Sequence, residues 1–254
     1  MARVVVLVLT GLAAGGTWAR AGDPLDVLIA AYPDRLASRA GGTLLFRDGT
    51  RMEAGAIEQG KPFDRLLRDA SILDQFRLAY PKGAAIAPPA KDFDPGRFRN
   101  EAFFDKLYGD CRKGEVAKDL VGVVWLPKAW GHTIQVTRAN GVADHLRAVS
   151  AEIDSLPAAI RSAAYPIAGT YVCRPVKDTG RLSMHSYGAA IDLNLKYSSY
   201  WLWEAKGATN IPYRNQMPRP IVDAFERQGF IWGGRWYHYD TMHFEYRPEL
   251  SVRN

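Results

Sequence analysis

The sequence predicts an α+β fold, because its second half combines several short strand-like segments with segregated helical segments. In the second half, residues 120–126 are a mostly apolar run and residues 132–137 alternate apolar with polar side chains around Ile134 and Val136; a Pro-Lys-Ala-Trp-Gly connection joins them, which predicts two paired strands. Residues 142–155 then repeat apolar side chains at helical spacing after an Asn-Gly start. Residues 230–232 are a short apolar run, residues 242–246 alternate apolar or aromatic with polar side chains, and both are predicted to be strands near the end of the chain.

Between these segments, the second half contains three more predicted elements. Residues 168–173 and 188–195 have the composition of strands, and residues 220–228 form a short helical pattern that ends at a glycine. Mixed strands with segregated helices therefore predict the α+β class.

The first half is predicted to be mainly helical, with one extended interruption. Residues 25–40 carry apolar side chains at helical spacing up to a Gly-Gly pair, and residues 63–80 repeat the pattern up to a proline. Between them, residues 43–46 and the turn that follows predict a strand. Residues 81–99 are rich in Pro, Ala, Asp and Gly and are predicted to be a loop or linker. Residues 22–115 show no chemical motif, so the sequence leaves their role open.

The first 21 residues have the composition of a secretory signal peptide. Arg3 precedes an apolar run over residues 4–14, and an Ala-Arg-Ala cleavage pattern ends at residue 21. The run is too short for a membrane span, which needs about 20 residues. A buried first strand is the alternative that a Val-rich run leaves open. Residues 1–21 are thus predicted to be removed, and the mature chain to be secreted to the periplasm or cell envelope without stable membrane insertion.

Composition and charge narrow the classes of partner. Of the 254 residues, 47% are hydrophobic and 24% are charged, which is an ordinary globular composition, and the formal net charge is +6. The basic residues are scattered and no nucleic-acid motif accompanies them, so nucleic acid is not a predicted partner. A mildly basic surface also suits an enzyme that acts on the acidic polymers of a cell envelope. None of these features predicts the oligomeric state.

The chain has two cysteines, Cys111 and Cys173. In an exported protein such a pair is predicted to form a disulfide, with two separate buried cysteines as the alternative. A bond would tie the middle of the chain to the segment that precedes the candidate site. In the chain-entropy treatment, a loop of this size contributes about 4 kcal/mol to stability.

Three side chains in the second half are candidates for a metal site. His185 lies at the start of a predicted tight turn, Asp192 lies on the strand that follows, and His243 lies on or entering the last strand. Gly188 lets the backbone pass close beneath this site. Two imidazoles and one carboxylate form a ligand set for catalytic zinc, with a fourth position open for water. By itself such a scattered set is a weak signal, because most histidines are structural or lie on the surface.

In residue type, spacing and order, two motifs resemble those of the zinc D-alanyl-D-alanine carboxypeptidase family: Ser183-x-His185-x-x-Gly188-x-Ala190-x-Asp192 and Asp240-x-x-His243. The VanY and VanX resistance enzymes, the phage L-alanyl-D-glutamate endolysins and the hedgehog signalling domain share that fold. The Trp232-Gly-Gly-x-Trp236 segment is similar to the endolysin-like branch, although Met242 stands where many endolysins have proline. The resemblance covers roughly residues 165–247. It implies a hedgehog-like or D-Ala-D-Ala-peptidase-like fold, with a small central antiparallel sheet and flanking helices, and makes residues 116–254 the zinc peptidase domain.

The resemblance also implies a role for each motif residue. His185, Asp192 and His243 would be the Zn²⁺ ligands. Asp240 would be the general base, which takes a proton from the attacking water and later passes it to the leaving amine. Arg174 matches best the arginine that stabilises the oxyanion in this family, and Arg181 is the alternative because it lies four residues before the first histidine.

Three further positions are candidates for contact with substrate. Arg181 and Trp236 are substrate-binding candidates by their place beside the motifs. Ser183 could hydrogen-bond the substrate or only shape the turn. His238 lies outside the family's ligand pattern and is predicted to sit at the rim of the pocket or behind a ligand.

The function that the resemblance implies is zinc-dependent hydrolysis of peptidoglycan stem peptides. Two reactions are open: cleavage between L-Ala and D-Glu, and removal of the terminal D-Ala. Two other classes are alternatives. One is a zinc-bearing, hedgehog-like binding module without turnover, against which the presence of Asp240 argues, because a binder needs no general base. The other is a structural envelope protein whose histidines are incidental.

Overall fold

The computed structural model describes residues 22–176, 179–205 and 211–251, so the predicted signal peptide lies outside the described residues. Seven α-helices are found in these ranges: α1 Pro24–Ala31, α2 Phe63–Arg68, α3 Glu101–Tyr108, α4 Val142–Asp154, α5 Ala158–Arg161, α6 Trp201–Ala205 and α7 Arg219–Arg227. The strands of the same ranges are β1 Leu36–Ala40, β2 Thr43–Phe46, β3 Arg51–Glu53, β4 Leu120–Trp125, β5 His132–Thr137, β6 Ala190–Asp192, β7 Phe230–Trp232 and β8 His243–Tyr246.

The strands form three small antiparallel sheets, ordered β1-β2-β3, β4-β5 and β6-β8-β7. In the third sheet β8 lies in the middle, with Asp192 opposite His243 on one side and Trp232 opposite Phe244 on the other. The apolar face of α7 covers this sheet, and the ring of Phe225 stacks on Phe244 with the centroids 4.0 Å apart. Helices and small antiparallel sheets are therefore mixed, while the likeness to the hedgehog fold stays a prediction.

Several predicted elements of the second half are confirmed. The strand pair β4–β5 has Val123 opposite Ile134 and ends at the predicted connection. Helix α4 buries its apolar stripe, and α7 ends one residue before the predicted end. These segments have a clear period, because helices α4 and α7 each bury one apolar face and the strands bury alternate residues such as Val123 and Ile134.

Other predicted elements are wrong in extent or in kind. The helix predicted over residues 25–40 ends at Ala31, and β1 follows, because Pro33 prevents the helical conformation of the residue before it. The helix predicted over residues 63–80 ends at Arg68, and a short 3₁₀ turn follows at Leu73–Phe76.

Near the site, two predicted strands are also shorter. Residues 168–173 form no strand; they run extended, and Gly169 makes an isolated bridge to Asp192. The strand predicted over residues 188–195 is limited to Ala190–Asp192. The residues just before it form the 3₁₀ turn Met184–Tyr187, which ends at Gly188 in the left-handed region (φ 65°).

Both halves of the chain share one hydrophobic core. Leu28, Phe103 and Phe104 from the first half are fully buried in the same cluster as Ile191 and Phe244. Residues 22–115 therefore pack directly against the sheet that carries the candidate ligands.

Residues 93–97, which were predicted to lie in a loop or linker, are hydrogen-bonded to residues 236–247 near the end of the chain. The carbonyl of Phe93 accepts the amide of Tyr237 at 3.0 Å, and the carbonyl of Pro95 accepts the indole N–H of Trp236 at 2.7 Å. The next carbonyl, of Gly96, accepts from the guanidinium of Arg247 at 2.6 Å. This segment is a loop, but its contacts make it part of the wall around the site.

The predicted disulfide is confirmed: Cys111 and Cys173 are bonded, with Cα atoms 5.7 Å apart and a sequence separation of 62. The bond links the end of α3 to the extended segment that precedes His185. Among the described helices, none has the length and apolar character needed to cross a membrane.

Candidate metal centre

The three predicted ligands meet at one point, where β6 and β8 begin or end. His185 lies in the 3₁₀ turn Met184–Tyr187, Asp192 ends β6, and His243 begins β8 directly opposite Asp192. The Oδ1 atom of Asp192 lies 2.9 Å from Nδ1 of His243 and 3.1 Å from Nε2 of His185. These two imidazole nitrogens are 3.2 Å apart. One candidate ligand atom from each residue lies within 4.8 Å of the others.

The outer nitrogen of each imidazole is held by an acceptor. Nδ1 of His185 bonds the backbone carbonyl of Thr170, and Nε2 of His243 lies 3.0 Å from Oε2 of Glu245. These acceptors each take a hydrogen bond from one ring N–H, and the opposite nitrogen of each ring faces Asp192, where it can serve as a metal ligand once it has lost its proton. Metal-ligating histidines are oriented in this way. The donor set, two neutral imidazoles and one carboxylate, therefore fits Zn²⁺ with a position left open.

The protonation states of Asp192 and His243 depend on each other. Burial opposes ionisation of Asp192, but hydrogen bonds from His185 and His243 outweigh burial and lower its pKa. Burial also opposes the charged form of His243, but bonds to Asp192 and Glu245 outweigh it and raise its pKa to about 10. A proton thus occupies the cluster in the metal-free protein, and a divalent cation would have to displace it.

Asp240 lies beside the triad without joining it. Its Oδ1 atom is buried and has no hydrogen-bond partner among the described residues. Burial, and then the charge of Asp192, raise the pKa of Asp240 to about 6. A carboxylate with an unused lone pair and a pKa near neutrality is suited to accept a proton.

The triad lines a cleft together with the other residues that the sequence singled out: Arg174, Arg181, Ser183, Trp236, His238 and Asp240. The ring of Trp236 lies 5.7 Å from that of His243. Ser183 caps the Met184–Tyr187 turn, since its Oγ accepts the amide of His185 at 3.3 Å. Turn shaping is therefore one role of Ser183, and its place in the cleft leaves substrate contact as a second prediction.

The two candidate arginines differ in setting. Arg174 is exposed at the edge of the cleft, and its backbone is held by the hydroxyl of Ser186. Arg181 is partly buried, and its Nη1 atom donates to the carbonyl of Leu67 at 2.9 Å. The long, exposed side chain of Arg174 can reach a bound substrate from the rim. Arg181 is instead fixed in the wall of the cleft by its bond to Leu67.

Sequence reasoning missed four residues of this neighbourhood. Arg97 and Arg99, from the half in which no chemistry was predicted, line the cleft. Asp94 is fully buried and accepts from Nδ1 of His238 at 2.7 Å. Glu245 is buried behind His243. Sequence spacing could not have linked Asp94, Arg97 and Arg99 to the site, since about 85 residues or more separate them from the histidine motifs.

A profile of the D-alanyl-D-alanine carboxypeptidase family matches residues 177–246. The matched segment contains all three members of the triad and Asp240. No curated protein and no solved structure matches the chain. Together, the family match and the triad indicate a peptidase, and at the level of the family a peptidase that acts on peptidoglycan.

Proposed function

We propose that this protein is a zinc peptidase that hydrolyses the stem peptides of peptidoglycan. The observation that carries the proposal is the convergence of His185, Asp192 and His243, with the unpartnered carboxylate of Asp240 in the same cleft. A bare metal-binding module does not need a carboxylate with a buried oxygen that lacks a hydrogen-bond partner, which costs stability. An enzyme that moves a proton does.

His185, Asp192 and His243 would hold the ion, and Zn²⁺ when bound would polarise a carbonyl and make water more acidic. Asp240 takes the proton of the attacking water as the C–O bond forms, and returns it to the leaving nitrogen as the C–N bond breaks. Arg174 stabilises the negative charge that develops on the carbonyl oxygen. Trp236 packs beside His243 and shields this side of the cleft from water.

The scissile bond is one of two, between L-Ala and D-Glu or between the terminal D-Ala residues. The Trp232 to Trp236 segment and its endolysin-like spacing favour the first. The disulfide between Cys111 and Cys173 supports a place outside the cytoplasm, where such bonds persist. The hedgehog-like fold belongs to the same proposal and is supported by the small β6-β8-β7 sheet that carries two of the ligands.

The test is incubation of purified muropeptides with the protein and one equivalent of zinc, followed by mass spectrometry of the products. A stem peptide cut after L-Ala, or shortened by one D-Ala, supports the proposal and identifies the bond. If the protein binds zinc but leaves every muropeptide intact, the zinc-bearing binding module replaces the peptidase.

A further inference from the structure

Arg99, from the first half of the chain, places a mostly buried guanidinium in the cleft. The side chain of Arg99 is only 13% exposed, yet its guanidinium makes two long polar contacts with described residues. Its Nη2 atom lies 3.4 Å from the carbonyl of Leu182, and its Nη1 atom lies 3.6 Å from Oε2 of Glu245. A guanidinium has five N–H donors, so most of the hydrogen-bonding capacity of Arg99 is unused by these contacts.

The negative charge of Glu245 is not available to Arg99 alone, because both carboxylate oxygens of Glu245 already interact with other residues. Its Oε2 atom bonds His243, and its Oε1 atom accepts from the fully buried Arg247 at 3.0 Å. Arg247 is in turn held by Glu249 at 2.6 Å. The carboxylate nearest to Arg99 thus serves the ligand histidine and a structural ion pair.

A second cation lies beside Arg99. The guanidinium of Arg181 lines the same cleft and donates to the carbonyl of Leu67, and no described carboxylate forms an ion pair with it. Burial, and then the nearby positive charge of Arg99, lower the pKa of Arg181 to about 10. Two partly desolvated like charges oppose each other unless an anion lies between them.

The other charges of the cleft do not supply that anion. Arg97 is paired with Asp94 at 2.9 Å, and Asp192 is shared by the two imidazoles. Asp240 is assigned to proton transfer. Four guanidinium groups therefore face three carboxylates in the cleft, and each carboxylate has its own task.

We propose that Arg99 and Arg181 together form a binding site for a carboxylate of the substrate peptide. This inference rests on the proposed function. It makes Arg99, which lies outside the segment that matches the family, a specificity-determining residue. Planar guanidinium groups bind carboxylates with paired, charge-assisted hydrogen bonds. The carboxylate has two sources in a stem peptide: the C-terminus of D-Ala, or a free carboxyl of D-Glu beside the scissile bond.

The test compares peptide pairs that differ only in one carboxylate. A stem pentapeptide is prepared with a free C-terminal carboxylate or a C-terminal carboxamide, and separately with the carboxyl of D-Glu free or amidated. For each peptide, kcat/KM is measured with zinc-loaded protein, and binding is measured by calorimetry. The proteins are the wild type, Arg99→Gln and Arg181→Gln. The matched control is Arg138→Gln, which removes an exposed arginine paired with Asp119 outside the cleft.

We expect the wild type and the control to prefer the free acid in one of the two pairs by about 10- to 100-fold, the scale of a charge-assisted hydrogen bond. Both cleft variants should lose that preference while keeping one zinc per chain. The pair that shows the preference identifies the source of the carboxylate. If Arg99→Gln does not fold, the acid and amide peptides are compared with Arg181→Gln instead.

Two results overturn the inference. The first is equal cleavage and equal binding of acid and amide by the wild type in both pairs, which leaves the peptidase intact. The second is a preference that survives unchanged in a folded cleft variant. If no peptide is cleaved, the proposed function fails, and the calorimetric preference alone decides whether the carboxylate site exists.

Discussion

Glu245 lies behind His243 on the side away from the other candidate ligands, with its Oε2 atom 3.0 Å from Nε2 of the imidazole. This contact leaves Nδ1 of the ring facing Asp192. It fixes the orientation of the His243 ring, and once an ion has displaced the proton on Nδ1 it favours the tautomer that keeps its proton on Nε2. The carboxylate is therefore part of the site although it is not among the predicted ligands.

We expect Glu245→Gln to weaken zinc binding by about 10- to 100-fold, the usual effect of removing the partner of a metal-ligating histidine. The amide keeps the shape but accepts the ring proton less strongly. Competition with a chromogenic chelator measures the Kd. Glu152→Gln, a change at a surface ion pair with Arg227, should leave it unchanged. An unaltered Kd in Glu245→Gln would show that the contact does not orient the ligand.

The mature protein should bind one zinc ion per chain, and either His185→Ala or His243→Ala should remove most of it. Each substitution deletes one of three donors that meet at one point. Elemental analysis after exhaustive dialysis gives the stoichiometry. His132→Ala is the control, because this histidine is exposed on β5 and stacks on Trp130. Full occupancy in either ligand variant contradicts the assignment.

Asp240→Asn should separate metal binding from chemistry. The amide has nearly the same size but no basic oxygen, so turnover of a cleavable muropeptide should fall by roughly 10²- to 10⁴-fold. Zinc content should stay at one per chain, because Asp240 is not among the three converging donors. If the variant loses its zinc, Asp240 is a ligand; if it hydrolyses at nearly the wild-type rate, another group is the base.

Asp240 should also make the metal-free protein sensitive to pH. The pKa of about 6 in the folded state lies above the ordinary value of 3.8, so folded protein holds this proton more tightly than the unfolded chain. Ionisation of Asp240 therefore costs stability as the pH rises through about 6, whereas below about pH 4 both states are protonated and the cost vanishes.

In urea unfolding with a chelator present, Asp240→Asn should raise the free energy of unfolding by roughly 1–3 kcal/mol at pH 7.5. The gain should disappear at pH 4. Asp144→Asn, at an exposed position on α4, is the control and should show no such pH dependence. An equal gain at both pH values would mean that ionisation is not its cause.

The Cys111–Cys173 bond should contribute about 4 kcal/mol to the free energy of unfolding, since it closes a loop of 62 residues in the unfolded chain. The Cys111→Ser, Cys173→Ser double variant should unfold at correspondingly lower denaturant concentration. Wild-type protein under reducing conditions is the matched comparison. Alkylation of two thiols in denatured protein that has not been reduced would show that the bond is absent.

The parts of the fold that were predictable from sequence are those with a strong local period. Helices α4 and α7 each bury one apolar face, strands β4 and β5 bury alternate residues in their second halves, and this periodicity is visible in the residues themselves. The helix predicted over residues 25–40 failed where Pro33 interrupts it. Short elements such as β6, which has three residues, depend on the partner strand and not on their own pattern.

From the sequence by itself it was possible to predict the candidate ligands His185, Asp192 and His243 and the candidate base Asp240, because these residues belong to two compact motifs whose spacing resembles that of a known family. Only the tertiary structure decided that Glu245 lies behind His243 and that Arg99 enters the cleft beside Arg181. The physical reason is that burial and charge pairing depend on which segments pack together. Arg99 and Arg181 are separated by more than 80 residues, and no local periodicity records that they share one partly buried space.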